Sequence, residues 1–410
     1  MRRKLLVAAL ISAALIIRLA FVWHFYSHPH PPTILDSDNY TTLATALVER
    51  GEFSAEPGVP SLDRPPGFPF FIAAFFAVFG VKPLMILFLN VFLSTGTCAL
   101  AYLLGKRLFS PRVGLLALAF WVVYPYSIYY CGWALRESFI TFLIAAELWC
   151  LLEWQDKLSS KWAAICAALG GAISLTNPVS LIFLGLAPLT LLAHEPFRAK
   201  LRHVAVYYAL LGVFYSPWPI RNYFAFGSPI ITNIHGGKQF YQGMLVPPEA
   251  FGTPEETRIL QNDPDYRHGL DMMEAKDYEG ANRWFKKAGW KWFFAHPLRY
   301  ASIVAYRVIK MWRLVPYERT YSHGYRTIFW SSLLSDGLVI PLGLFGLIAF
   351  RKRWKEFLPL YAALGFWTMA YVLVFVVIRF RLPAMMPMIL FAAALIDRAY
   401  SRFSPSLSIT

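Results

Sequence analysis

Acidic residues are scarce in this chain: 24 Asp and Glu are spread over 410 positions, against 39 Lys and Arg, and all charged types together make up 15% of the residues. So little charge beside 57% hydrophobic residues excludes an ordinary water-soluble domain. Cysteine is equally sparse. Cys98, Cys131, Cys150 and Cys166 all stand inside apolar runs with no Cys-x-x-Cys spacing, which implies neither a zinc site nor a disulfide and reads as small core residues. No Gly-Lys-Ser/Thr phosphate loop is present; Gly236-Gly237 precedes Lys238-Gln239, and a tight turn is the default there. Heptad arrays, low-complexity tracts and clear internal repeats are missing as well.

What the chain has is apolar runs from Leu5 to Ile396, with hydrophilic breaks between them. The net charge of +15 does not point to nucleic acid, because the basic residues sit in short clusters between those runs, as the positive-inside rule places them on cytoplasmic loops. Crossings of roughly 20 residues are expected near 5–26, 83–105, 113–131, 138–153, 162–176, 179–193, 204–219, 332–350, 357–378 and 383–397. The clusters Lys106-Arg107 with Arg112, Lys157 with Lys161, Arg198 with Lys200 and Arg202, and Arg351-Lys352-Arg353 with Lys355 then all fall on one side. The fold class expected is an all-α polytopic membrane protein, a bundle of about ten transmembrane helices with both termini cytoplasmic. The first apolar run is expected to be an uncleaved span, not a removed signal peptide.

Two apolar stretches do not fit a crossing. Phe68 to Val81 is too short, and His296 to Arg313 carries Arg299, Arg307, Lys310 and Arg313, cations that would be costly in the hydrocarbon core. Both read as interfacial helices of the outer loops. Three regions follow: 1–222, a membrane module whose first outer loop spans 27–82; 223–330, an outer insertion; and 331–410, the closing helices. The tail Ser404 to Thr410 reads as disordered.

With spans placed by apolar length and loop charge alone, the unusual polar residues gather on the outer side: Asp36, Asp38 and Arg64 in the first loop, then Arg136 and Glu137, Asn177-Pro178, Arg221-Asn222, and finally Arg379 and Arg381. Charged groups collected at one leaflet mark a site that handles charge at that depth. Each has a plainer reading. Arg379 and Arg381 could snorkel to headgroups, Asn177-Pro178 could be a helix-breaking turn, Glu137 an exposed charge, and Asp38 or Asn39 a cap for a helix starting near Thr41. That capping role leaves Asp36 as the better candidate for chemistry. Asn39-Tyr40-Thr41 also has the glycan-acceptor pattern, which is common by chance. His28-Pro29-His30 supplies too few ligands for a metal; a divalent ion is conceivable but no ligand set supports one.

Several separated signatures resemble a known family. Asp36 with Tyr40 and Leu43-Ala44, then Arg64-Pro65-Pro66-Gly67-Phe68-Pro69, then Trp218-Pro219-Ile220-Arg221-Asn222-Tyr223 through Gly227-Ser228-Pro229, then Gly236-Gly237 and Phe240-Tyr241, and Arg379-Phe380-Arg381-Leu382-Pro383 with Pro387 are similar in order and spacing to the GT-C glycosyltransferases. The likeness is to the bacterial branch near protein O-mannosyltransferases and the aminoarabinose transferase of lipid A. It implies transfer of a sugar from a polyprenyl-phosphate donor to a lipid, glycan or protein acceptor on the non-cytoplasmic face of the plasma membrane. It also implies Asp36 as catalytic base, a second acid at Glu137, and donor-phosphate contacts from Arg64 and Arg221; Asp38 as a supporting acid and Tyr40, Arg136, Asn222, Arg379 and Arg381 as substrate contacts complete the candidate site. Arg136 beside Glu137 departs from the family pattern. The chemistry agrees: a departing phosphate needs cations in a partly dry site and an acceptor hydroxyl needs a carboxylate. The alternative is a transporter or lipid flippase, which would line both halves of the membrane and commonly shows repeated halves.

Overall fold

A computed structural model describes residues 2–28, 35–36, 38–193, 197–231, 233–318 and 325–403. Among them the chain is helical, with no strand. Helix α1 (Arg2–Tyr26) is followed by two short helices of the first loop, α2 (Tyr40–Arg50) and α3 (Gly67–Phe79). Then come α4 (Leu84–Leu108), α5 (Pro111–Val123), α6 (Pro125–Tyr129), α7 (Glu137–Lys157), α8 (Ser160–Thr176), a 3₁₀ stretch Pro178–Gly185 running into α9 (Leu186–Leu192), and α10 (Phe197–Tyr215). Helices α11 (Pro217–Phe226), α12 (Gly236–Leu245), α13 (Pro254–Asn262), α14 (Pro264–Glu274), α15 (Tyr278–Ala295) and α16 (Pro297–Met311) form the insertion, and α17 (Tyr325–Phe350), α18 (Leu358–Val372) and α19 (Met385–Phe403) close the chain.

Each expected crossing falls on a helix. Among the described residues, four helical stretches are long and apolar enough by themselves, Arg2–Tyr26, Leu84–Leu108, Tyr325–Arg353 and Ile378–Arg402, and α5 with the α6 segment makes a fifth, bent by 54°. The bend has a covalent cause. Pro125 has no N–H, so the carbonyl of Trp121 loses its helical partner. Arg18, fully buried in α1, takes that role: Nη2 donates to Trp121 O at 3.0 Å and Nη1 to Val122 O at 3.2 Å, while Nε and Nη2 reach Ser94 and Ser127. A cation inside the first span is thus held by backbone that a proline has freed, one of the few ways such a group is tolerated in hydrocarbon.

Two expected spans end early. The crossing near 204–219 stops at Tyr215 because Pro217 begins α11. The one near 357–378 stops at Val372, and residues 375–377 run extended before a 3₁₀ turn, Ile378–Ala384. The β-branched run Val376-Val377-Ile378 and then Pro383 disfavour helix there. This break delivers Arg379 and Arg381 to the interior.

Contacts define two ends of the bundle. At one, Arg107 pairs with Glu153 and Asp156 at 2.5 Å each, Ser110 caps α5 and donates to Asp397, and Phe109 stacks on Phe357; the basic clusters lie here. At the other, the first loop, the start of α7, the end of α8 and the 375–384 break meet. The insertion has its own small core around Tyr241, Val246, Tyr266 and Phe285. All four cysteines are buried and free. His30, Ser37 and the tail from Ser404 lie outside the described residues.

Candidate functional site

The first loop is shaped by its carboxylates and its prolines. Asp36 accepts from the backbone N–H of Thr41 at 3.0 Å and of Thr42 at 3.2 Å, and from the Thr42 hydroxyl. It therefore caps α2, satisfying N–H groups that a helix start leaves free. Asn39, at φ 57°, makes no side-chain cap. This reverses the expected division of labour: the cap is Asp36, and Asp38 is the carboxylate turned to the cavity. Arg64 holds it there, with Nε donating to Asp38 O at 2.8 Å and Nη2 to Oδ1 at 3.2 Å. Pro65 and Pro66 fix the chain direction after Arg64, and Gly67 lets α3 touch the end of α8, since a Cβ there would stand 2.7 Å from Thr176 N. Tyr40, buried against Phe68 at 5.2 Å, also faces the cavity. Burial pushes its hydroxyl above the ordinary tyrosine value, with Arg136 opposing.

The cavity measures about 460 Å³ and is lined by Asp38, Tyr40, Arg64, Arg136, Asn177 and Arg379, among others. Arg136 enters from the start of α7 and donates to Thr176 O at 3.1 Å. Glu137 lies just beneath, 3% exposed, in the first turn of α7 where the helix dipole favours an acid. Its Oε1 is 3.2 Å from Arg379 Nε, and Arg379 Nη2 is 4.0 Å from Asp38 Oδ2. Asn177 donates to the Tyr371 hydroxyl and, with Pro178, lines the wall, so the helix break contributes surface as well as a turn.

Of the residues singled out from sequence, Asp38, Tyr40, Arg64, Arg136 and Arg379 share this cavity, with Glu137 supporting it. Three do not. Arg221 is committed to the carbonyls of Ser61 at 3.1 Å and Phe53 at 3.2 Å and packs over Trp218 and Phe226. Asn222 is fully buried, donating to Ile230 O at 2.6 Å. Arg221 ties α11 to the first loop and Asn222 ties it to the segment that follows, so both are corrected from donor ligands to struts. Arg381 is likewise corrected: 1% exposed, it pairs with buried Asp336 in α17 and donates to the carbonyls of Met311 and Arg313, while the Tyr124 hydroxyl donates to Asp336 at 2.8 Å.

Sequence reading also missed one wall. Gln239, Lys286 and Trp290 of the insertion line the cavity beside Phe240 of the quoted Phe240-Tyr241 pair; for Lys286 and Trp290, their spacing of one turn was the available signal. In all, Arg64, Arg136, Lys286 and Arg379 share the cavity with Asp38, so cations outnumber carboxylates even when Glu137 is counted. Among the described residues no group of three or more His, Cys, Asp or Glu converges as metal ligands would.

Comparison with known proteins bears on the family and the fold. Residues 63–220 match the dolichyl-phosphate-mannose-protein mannosyltransferase family. Over its full length the chain superposes on the oligosaccharyltransferase of Archaeoglobus fulgidus. One structure, tethered to an acceptor peptide, gives TM-score 0.58 at 12% identity over 97% of this chain and 50% of that one. Another, with an inhibitory peptide and a dolichol-phosphate, gives 0.54 at 12% identity over 98% and 52%. This chain therefore spans about half the length of those enzymes. ArnT from Cupriavidus metallidurans bound to undecaprenyl phosphate superposes with TM-score 0.42 at 13% identity, over 98% of this chain and 81% of that one. No curated protein matches in sequence. At this identity the likeness is one of fold: the chain shares the helical fold of these oligosaccharyltransferase structures.

Proposed function

We propose that this chain is a membrane glycosyltransferase that moves a sugar from a polyprenyl-phosphate donor to an acceptor hydroxyl, with inversion, on the membrane face opposite the basic clusters. The observation that carries this is a cavity at one end of an apolar bundle that four cations, Arg64, Arg136, Lys286 and Arg379, line together with Asp38. A lipid-linked sugar phosphate needs that combination: hydrocarbon for its tail, cations for its leaving group. The dolichol-phosphate bound in one superposed oligosaccharyltransferase supports a lipid phosphate as ligand.

In the proposed step the acceptor oxygen attacks the anomeric carbon while its proton passes to the Asp38 carboxylate. The bond from that carbon to the phosphate oxygen breaks, and its electron pair leaves with the phosphate. A phosphodiester monoanion thereby becomes a phosphomonoester that carries more charge. The cation excess matches the charge that develops, so Arg64, Arg136 and Arg379 stabilise the transition state more than the ground state. General-base help contributes roughly 10² to 10⁴ in rate. The same positive-inside arrangement supports both termini in the cytoplasm and a periplasmic or extracellular site.

The test compares Asp38→Asn with Asp36→Asn in purified protein supplied with labelled polyprenyl-phosphate sugars. Asp38→Asn should abolish transfer at unchanged melting temperature, whereas Asp36→Asn should act mainly through stability of the first loop. Near wild-type turnover by Asp38→Asn would remove Asp38 as the base.

A further inference from the structure

The wall supplied by the insertion lies beyond the matched residues 63–220. Helices α12 and α15 are pressed together at two glycines. A Cβ on Gly237 would stand 2.6 Å from the carbonyl oxygen of Asn282, and the Gly237 N–H donates to Asn282 Oδ1 at 2.9 Å. At Gly289 a Cβ would meet the Phe240 ring at 2.6 Å, so Phe240 seats directly on the α15 backbone. Its ring centroid is 5.3 Å from that of Trp290, which is braced on another side by Phe293 at 5.6 Å. Trp290 nevertheless stays 51% exposed and lines the cavity one turn beyond Lys286. A rigid indole, fixed by packing but open on a face toward cations and a carboxylate, presents an apolar plane with a polar edge.

Such a plane suits a pyranose or furanose, whose C–H groups form an apolar face and whose hydroxyls point outward. We infer that the α12–α15 wall is the sugar subsite: Trp290 packs against the transferred sugar and Lys286 reaches the adjoining phosphate. This rests on the reading of the cavity as a lipid-phosphate-sugar site. At about 460 Å³ the space lies within the range of roughly 300–1,000 Å³ that holds a compact ligand. One indole face covers one sugar ring, so the subsite is assigned to the single sugar unit next to the phosphate.

The experiment uses the full chain in nanodiscs with undecaprenyl-phosphate hexoses and pentoses, an undecaprenyl-pyrophosphate oligosaccharide, and undecaprenyl phosphate alone. Trp290→Ala should raise KM for the sugar-bearing lipid about tenfold, the equivalent of one aromatic contact, and leave binding of bare undecaprenyl phosphate unchanged. Trp290→Phe should recover most of the loss. Lys286→Ala should weaken both lipids, and Lys286→Arg should restore them. Melting temperatures of all variants separate these effects from misfolding. The inference is overturned if Trp290→Ala weakens the bare lipid phosphate as much as the sugar-bearing one, as a membrane anchor would. Failure of the wild-type chain to turn over any of these donors would instead overturn the glycosyltransferase reading, and this subsite with it.

Discussion

Arg379 and Glu137 meet with Nε 3.2 Å from Oε1, the arginine from the break after α18 and the acid from the first turn of α7. Glu137 is nearly inaccessible and its Oε2 has no hydrogen-bond partner among the described residues. A buried carboxylate in that position depends on the cations beside it, Arg379 in contact and Arg136 further off. The pair therefore fixes where Arg379 stands, with its other arm 4.0 Å from Asp38.

Glu137 is on this geometry a positioning residue. Glu137→Gln is expected to lower kcat about 10²-fold, the scale of one misplaced charge-stabilising donor, with a smaller change in KM. Glu137→Asp should recover part of the rate. Steady-state kinetics on the two variants decides it, and an unchanged kcat in Glu137→Gln would show that Arg379 is held by other means.

Arg18 makes a stability prediction. Arg18→Met removes the donors to Trp121 O, Val122 O, Ser94 and Ser127 at once. Buried carbonyls left unpaired cost about 1–3 kcal/mol each, so the variant should melt well below wild type. Combining it with Pro125→Ala, which returns an N–H to the Trp121 carbonyl, should restore part of the loss.

The Arg381–Asp336 pair predicts non-additivity. Asp336→Asn or Arg381→Met alone leaves a buried charge without its partner, at a cost of about 3–5 kcal/mol. The double variant should be less damaged than the sum of the two, and both single variants should lose expression before they lose affinity for donor. A double-mutant cycle on melting temperature measures the coupling.

His235 gives a pH dependence outside the membrane. Burial lowers its pKa from the ordinary 6.5, helped by Lys238, while Asp63, 3.8 Å away, opposes the shift. The folded state thus favours the neutral ring and the unfolded chain binds the proton more readily, so stability is full above about 6.5 and falls as pH drops through that value toward the lower folded pKa. His235→Gln should flatten this limb of the stability profile. Thermal melts between pH 5 and pH 8 would reveal a persisting slope if other groups cause it.

Composition and loop charge were enough to read the helical membrane class, several of the apolar spans and the clustering of Asp38, Arg64, Arg136, Glu137 and Arg379, because apolar length and the side of basic clusters are local properties. The roles of Asp36 and Asp38 were not legible. Two acids two residues apart have the same local chemistry, and only the approach of Thr41 and Thr42 to one and of Arg64 to the other separates them. Arg221 and Arg381 looked like ligands for the same reason: a motif shows that a cation is present, not which carbonyls or acid it has already satisfied.

The sequence by itself determined that this chain lives in a bilayer and that its charges gather at one end, since burying so much apolar surface and so little charge leaves no other solvent. Tertiary structure alone decided which carboxylate faces the cavity, which arginines are struts, and that α12 and α15 close the site with Trp290 and Lys286. Those choices depend on which elements from distant parts of the chain come into contact, and contact is where desolvation and pairing fix the state of each charge.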